Sequence, residues 1–188
     1  MNSFTCKALL MAAGILGSSV VAASSAGVSL TNETVKGDLN VNMGSFGLNV
    51  GLSRDDDTDS TTGYVGATIE DSDTSGPLQA GLGIRLNAID NNRPNDNDLS
   101  LAVSLGGWYR YTLQKANRVS IYGSLYYAPE VLSFNDLDHT YNYEFRLEYM
   151  TMRNARAYVS YGETVTIYND GSRKEINDGV AFGANVIF

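Results

Sequence analysis

His139 is the only histidine in this chain and the one side chain that could act as a general base near neutral pH. A Ser-His-acid triad needs a serine within hydrogen-bond reach of that base. His139 follows Asp138 and precedes Thr140 and Tyr141, and the nearest serine in sequence is Ser133. This pattern is typical of a histidine at the edge of a surface loop. We therefore expect no catalytic residues and a protein that is not an enzyme.

Acidic side chains concentrate at residues 55–59, where four aspartates occupy five positions. Closely spaced carboxylates suggest calcium, but an EF-hand loop needs glycine at its sixth position and glutamate at its twelfth. Counted from Asp55, those positions hold Ser60 and Gly66. We therefore expect a solvated acidic loop with loose divalent binding at most, no metal site and no cofactor.

Residues 1–26 have the composition of a secretory signal peptide. Lys7 is their only charge, and the apolar run at 8–21 is shorter than the ~20 residues that a membrane-spanning helix needs. Small residues follow this run, so cleavage is expected after Ala23 or after Ala26.

The composition of the chain limits its partners and its chemistry. The formal charge is −8, from 13 basic and 21 acidic residues, which argues against nucleic acid as a partner. Cys6 is the only cysteine and lies within the predicted signal peptide. The exported domain, residues 27–188, is therefore expected to have neither a disulfide nor a thiolate site.

Side chains alternate most regularly between residues 141 and 149. One face holds Tyr141, Tyr143, Phe145, Leu147 and Tyr149, and the other holds Asn142, Glu144, Arg146 and Glu148. A period of two predicts a strand with one apolar face. The same period predicts eight strands, at residues 38–53, 63–70, 78–87, 99–111, 119–128, 141–150, 155–168 and 177–188.

The first of these strands, 38–53, changes parity at Gly44 and Ser45. A one-residue shift moves every side chain to the other face, so a bulge or a tight turn must lie there. A turn would leave 38–43 shorter than the ~9–11 residues of a membrane-spanning strand. We therefore interpret the shift as a bulge within one long strand.

These strands predict an all-β, eight-stranded, antiparallel, up-and-down transmembrane barrel, with ten strands as the alternative. Long loops alternate with short turns, as in outer-membrane barrels, and aromatic residues cluster near strand ends. The clusters are Tyr109, Tyr111, Tyr126, Tyr127, Tyr141, Tyr143, Tyr149, Phe182 and Phe188. A soluble exported barrel or sandwich would show the same alternation with the opposite polarity, and this alternative stays open.

If the apolar face meets lipid, the charged face lines the interior. The predicted inward network is Glu70, Arg85, Arg110, Glu144, Arg146 and Glu148. The interior of an eight-stranded barrel is just wide enough for side chains to fill it. We expect these charges to form ion pairs that plug the barrel, with a narrow solute or proton path as the alternative.

Two motifs and the end of the chain resemble the YfaZ family of bacterial outer-membrane proteins. The motifs are Tyr-Tyr-Ala-Pro-Glu-Val-Leu-Ser at 126–133 and Tyr-Glu-Phe-Arg at 143–146. The end of the chain alternates through Val180, Phe182, Ala184, Val186 and Phe188, similar to the signal that outer-membrane barrels offer to the barrel-assembly machinery. The resemblance implies an outer-membrane barrel of a Gram-negative bacterium, often described as a candidate porin, and it supplies no catalytic residues.

The expected role is structural, interactive or narrowly permeative, in a barrel filled by side chains. A small porin for small solutes is one alternative, and a lipid-modifying hydrolase of the outer membrane is another. The expected partners are outer-membrane lipid and lipopolysaccharide, with periplasmic chaperones and the assembly machinery during biogenesis. The sequence does not define the oligomeric state.

Overall fold

The computed structural model describes residues 22–70, 76–90 and 99–188. In these residues the chain forms eleven strands and one short 3-10 turn, Glu130–Leu132. The strands are β1 (Ala22–Leu30), β2 (Thr34–Asn42), β3 (Gly47–Asp55), β4 (Ser60–Glu70), β5 (Leu78–Asp90), β6 (Leu99–Thr112), β7 (Val119–Ala128), β8 (Ser133–Phe134), β9 (Leu137–Met152), β10 (Ala155–Tyr168) and β11 (Arg173–Ile187).

The sheet closes on itself into an antiparallel barrel. Strands β1 to β5 pair in sequence order, β5 pairs with β6, and the order continues through β7, β9, β10 and β11 back to β1. The two-residue β8 pairs only with β6 and lies outside the ring. Ten of the strands in the described residues therefore form the barrel, which confirms the fold class and makes the main count of eight wrong.

The predicted single strand at 38–53 is two strands, β2 and β3. Gly44 has a φ of +86°, and the backbone N–H of Met43 donates to the carbonyl of Phe46 at 2.8 Å, which closes a hairpin turn. A glycine adopts that φ without steric cost. Because β2 begins at Thr34, it has nine residues and is long enough to span, which removes the reason for preferring a bulge.

The second additional strand, β1, begins at Ala22, inside the segment predicted as a signal peptide. It was not predicted because its outward apolar row is short and ends with Val28 and Leu30. The rest of the predicted signal peptide, residues 1–21, lies outside the described residues, so that assignment stays a prediction.

The apolar side chains face outward and the charged side chains face inward. Leu82, Ile69 and Phe182 are 75, 71 and 67% exposed, whereas the residues Glu144 and Glu148 are 7 and 3% exposed. A soluble barrel requires the reverse arrangement, because water solvates charge and an apolar core fills the interior. The soluble alternative is therefore wrong, and this exterior matches hydrocarbon.

Among the residues described, no helix combines the length and apolar character needed to cross a bilayer.

The two ends of the barrel differ. The terminal rim is the end where β1 starts and β11 finishes, and there Ser24 and Phe188 exchange backbone hydrogen bonds of 3.0 and 2.8 Å. The loop rim is the opposite end, where β5 and β7 finish and the longest intervals between consecutive barrel strands occur. Long extracellular loops and short periplasmic turns are the rule in such barrels, so the loop rim corresponds to the extracellular side.

At the loop rim, the alternation of faces stops. The register of β10 against β11 shifts after Gly162, where Glu163 lies, and Asn177 and Gly179 of β11 have φ values of +58 and +117°. Beyond this irregularity, Val165 is fully buried. A bulge accounts for Glu163 in an otherwise apolar outward row, because an extra residue re-aims the side chains that follow it.

A small apolar cluster closes part of the loop rim. Its members are Ala102, Ala128, Leu137 and Tyr168. These side chains come from four different strands, so their packing ties β6, β7, β9 and β10 together at this rim.

Candidate functional site in the barrel lumen

Within the part of the barrel that the structure describes, two cavities are stacked along the axis. The loop-side cavity measures about 90 Å³ and the terminal-side cavity about 240 Å³. Four residues with long side chains line both of them: Lys36, Tyr64, Arg85 and Glu144. We call these four the central layer, because they lie where one cavity ends and the other begins.

Glu144 is the anionic centre of this layer. Its Oε2 atom lies 3.1 Å from Nζ of Lys36 and 2.8 Å from a terminal guanidinium nitrogen of Arg146. The side chain of Glu144 is 9% exposed and that of Arg146 is 11% exposed. Two cations on one buried carboxylate replace the hydration that the three groups lose on folding.

Arg85 is held in the central layer by aromatic rings. Its guanidinium carbon lies 3.5 Å from the centroid of the Tyr126 ring and 4.3 Å from that of Tyr64. No carboxylate of the described residues lies within ion-pair distance of it. Gly66 gives it room, since a Cβ there would lie 2.8 Å from Cγ of Arg85. Cation–π contacts thus hold a positive charge that has no acidic partner.

A second ion-paired group lies nearer the terminal rim. Arg110 donates two hydrogen bonds to Glu148, at 2.8 and 3.3 Å, and Nε of Arg156 lies 4.0 Å from the same carboxylate. Trp108 stacks with Tyr122 at 6.1 Å between ring centroids. The bidentate pair fixes the Arg110 guanidinium in one orientation.

The structure distributes the six predicted network residues among different environments. Arg146 pairs with Glu144, and Arg110 pairs with Glu148. The other two line the same terminal-side cavity but have no ion pair within the described residues: Arg85 contacts aromatic rings, and Glu70 ends β4 at the terminal rim.

Three inward residues were absent from the predicted network or assigned to the wrong face. Lys36 lies just before the first predicted strand, 38–53, and Arg156 is the second residue of β10, at the start of the predicted strand 155–168. Tyr126 was assigned to the outer aromatic clusters but is 1% exposed and lies inside. Its register partner Gly106 shares its face, so the parity of β6 could have identified it.

The predicted acidic loop is ordered by its own first aspartate. Oδ1 of Asp55 accepts hydrogen bonds from the backbone N–H groups of Asp57 and Thr58, at 3.1 and 3.0 Å. Its Oδ2 accepts one from Asn177 at 2.8 Å, and the Asn177 side chain donates to Ser53 at 2.9 Å. Asp59 pairs with Arg54. The signal was present in sequence, because an aspartate side chain in a loop commonly accepts a hydrogen bond from the backbone N–H two residues further on.

His139 lies at the loop rim. Its Nδ1 is 2.8 Å from a carboxylate oxygen of Asp138, and its ring centroid is 6.1 Å from that of Tyr127. These contacts explain how the ring is held without supplying a nucleophile.

One group of acids has the spacing of a cation site. Carboxylate oxygens of Glu163, Glu175 and Asp178 lie within 4.8 Å of one another. Arg173 is 2.7 Å from Glu175 and 3.8 Å from Glu163, so a protein cation already neutralises part of this charge.

The family is established by sequence. The model of the family described as YfaZ precursor matches residues 4–188. The chain belongs to the YfaZ precursor family. No curated protein sequence matches it.

Among solved structures, the chain is similar to OmpT, an outer membrane protein of Vibrio cholerae. The in-vitro folded trimer form is 18% identical over 82% of this chain and 56% of that chain, with a TM-score of 0.38. A second in-vitro folded OmpT structure is 15% identical over 88% of this chain and 64% of that chain, with a TM-score of 0.38. The YfaZ-family chain thus spans less than two thirds of either OmpT chain.

The YfaZ-family chain is an outer-membrane β-barrel protein of a Gram-negative bacterium. Every backbone group in hydrocarbon must be hydrogen-bonded within the protein, and the closed ring of ten strands meets that requirement. Its exposed apolar belt and interior charges complete the arrangement.

Proposed function

We propose that this protein is a barrel closed at mid-height by its central layer, with a structural or surface-interaction role rather than that of an open pore. The observation that supports this is the division of the lumen into two cavities by Lys36, Tyr64, Arg85 and Glu144. A ten-stranded barrel is wider than an eight-stranded one, so long side chains are needed to fill its middle. The ion pairs of Glu144 and the rings around Arg85 hold those side chains in place.

Planar-bilayer recording tests this proposal directly. The refolded mature protein is expected to show no stable single-channel steps. The double variant Tyr64→Ala, Arg85→Ala removes two members of the central layer and is expected to conduct. Ser124→Ala is the matched control, since Ser124 lines the terminal-side cavity without belonging to the layer. Stable conductance in the native protein, or a folded double variant that stays silent, contradicts the proposal.

We also propose that the protein has no hydrolytic activity, because no serine is among the contacts of its one histidine in the described residues. Incubation of the folded protein with outer-membrane phospholipid and with peptide should give no product. Product formation that is lost in His139→Ala contradicts this.

For maturation, we propose cleavage after Ala23 rather than after Ala26. Ser24 exchanges two backbone hydrogen bonds with Phe188, and Ser25 and Ala26 pair with Ile187 and Val186. Cleavage after Ala26 removes all three of these residues from the pairing of β1 with β11, which closes the barrel. The intact mass of the exported protein distinguishes the two sites, and a mature chain beginning at Gly27 contradicts this choice.

The partners proposed for this protein are lipid, lipopolysaccharide and the assembly machinery with its chaperones. The outward row Val180, Phe182, Ala184, Val186 and Phe188 on the last strand is the proposed assembly signal. In this row Phe182 is 67% exposed. Phe182→Asp combined with Phe188→Ala should reduce the amount of folded barrel in the outer membrane, and undiminished assembly contradicts the assignment.

A further inference from the structure

The terminal-side cavity has a charge balance opposite to that of the chain. Its walls carry five basic side chains: Lys36, Arg85, Arg110, Arg146 and Arg156. They carry three acidic ones, Asp38, Glu70 and Glu144, and Glu148 pairs with the wall residue Arg110. Basic groups therefore outnumber acidic groups by five to four here, whereas the whole chain has 13 basic and 21 acidic residues.

The interior carboxylates nearest these cations are already shared. Glu144 serves both Lys36 and Arg146, and Glu148 serves Arg110 closely and Arg156 at 4.0 Å. Within the described chain, no carboxylate pairs with Arg85. Each of these two glutamates thus faces two cations, and with Asp38 and Glu70 included the cavity still has one more basic than acidic group.

Hydrogen-bond donors are left over as well. The Nε–H groups of Arg85, Arg146 and Arg156 are buried, and none of them donates to an acceptor in the described residues. A buried donor without an acceptor destabilises the folded protein, and more so when it belongs to a charged group. All three arginines line the same cavity.

We propose that the terminal-side cavity binds a small oxyanion through Arg85, Arg146 and Arg156. An oxyanion supplies several acceptor oxygens and negative charge together, which is what the guanidinium groups lining the cavity and the excess positive charge require. Guanidinium groups match the geometry of phosphate and carboxylate oxygens. The cavity extends to the terminal rim, so the ligand enters from the periplasmic side. The site does not depend on whether the central layer blocks conduction.

The chain contains its own reporter of this site. Trp108 is the only tryptophan and lines the terminal-side cavity. Binding of an anion beside it should change its fluorescence emission. The signal is therefore local to the proposed site and separate from any measurement of conduction.

The experiment titrates inorganic phosphate into the mature protein folded in detergent, with ionic strength held constant by sodium chloride. We expect a saturable change in Trp108 emission and a matching heat of binding by calorimetry. Sulfate and acetate titrations distinguish a tetrahedral oxyanion from a carboxylate. Arg156→Gln should weaken binding about tenfold, since it removes a charged hydrogen-bond donor. Arg85→Gln should weaken it similarly, and Arg85→Lys should restore part of the loss.

The matched control is Arg54→Gln, because Arg54 pairs with aspartates at the loop rim, away from the cavity. It should bind phosphate like the native protein. If Arg85→Gln does not fold, Arg156→Gln decides the matter, since Arg156 lies as far as 4.0 Å from Glu148, its one acidic partner among the described residues. No saturable response at constant ionic strength overturns the proposal, as does unchanged affinity in a folded Arg156→Gln or equal weakening in Arg54→Gln.

Discussion

The two faces of β9 share one backbone and meet two different environments. On the outer face, Phe145 and Leu147 are 52 and 59% exposed. On the inner face, the residues Glu144 and Glu148 are 7 and 3% exposed, and each has a cationic partner. Strand β9 is hydrogen-bonded to β7 and β10 on both sides, so pairing of the backbone does not distinguish the faces.

The difference shows that the two faces place different demands on sequence. Hydrocarbon accepts any apolar side chain, because lipid tails adapt to its shape. In the lumen, each charged side chain requires a specific partner at hydrogen-bond distance, because a charge removed from bulk water is costly when it is left unpaired. Replacing an inner charged side chain by an uncharged one of the same shape should therefore destabilise the barrel. Replacing an outer apolar side chain by another apolar one should be tolerated.

The largest effect is expected from Glu144→Gln on the inner face. The substitution preserves shape but leaves Lys36 and Arg146 without their shared carboxylate. The free energy of unfolding should fall by about 3 kcal/mol, as when one partner of a buried ion pair is removed. Urea unfolding in detergent measures it. Glu130→Gln, at an exposed residue of the 3-10 turn, is the control and should change stability by less than about 0.5 kcal/mol. Equal effects of the two substitutions would show that the ion pairs of Glu144 contribute nothing to the stability of the barrel.

A smaller effect is expected from Leu147→Arg on the outer face. An arginine facing hydrocarbon costs about 2 kcal/mol, depending on its depth. Leu147→Ile keeps the surface apolar and should cost less than about 1 kcal/mol. The measurement is unfolding in lipid vesicles, where the bilayer is present. If arginine is tolerated as well as isoleucine at this position, the outer face of β9 does not meet lipid.

The smallest of the three effects is expected at the loop rim, where the distinction between faces ends. Asn177→Ala loses the amide contact with Ser53 and puts alanine, which adopts positive φ less readily than asparagine, at a φ of +58°, for a combined cost of about 1.5 kcal/mol. Asn177→Gly loses only the amide contact and should cost about 1 kcal/mol. Thermal unfolding compares the two variants. If the glycine variant is no more stable than the alanine variant, the positive φ at residue 177 does not contribute to the cost of the alanine substitution.

Much of the barrel could be predicted because alternation is a local signal. The predicted strand at 119–128 coincides with β7 and that at 155–168 with β10. The hairpin at Gly44 could not be distinguished from a bulge, because both reverse parity by one residue. The hairpin requires β2 to extend back to Thr34. The sequence does not show this extension clearly, because the inward positions of β2 near Thr34 are small or polar.

The contacts in the lumen were only partly predictable. Parity shows which side chains point inward, but which of them pair depends on the order of the strands around the ring. Lys36 and Glu144 are far apart in sequence, and β1, β11 and β10 lie between their strands in the sheet. They meet because the closed barrel brings both side chains to its axis. Arg85 illustrates the same limit: its charge predicted an acidic partner, whereas the fold gives it two tyrosine rings.

The most direct test of the inside-out arrangement is a cysteine scan of residues 143–149 with spin labels, in the mature protein reconstituted into vesicles. Cys6 is the only cysteine and lies in the predicted signal peptide, so each label occupies one known position. Collision rates with oxygen, which concentrates in lipid, should be high at the odd-numbered positions and low at the even-numbered ones. Odd-numbered positions that instead collide more often with a water-soluble nickel chelate would contradict a lipid-facing apolar surface.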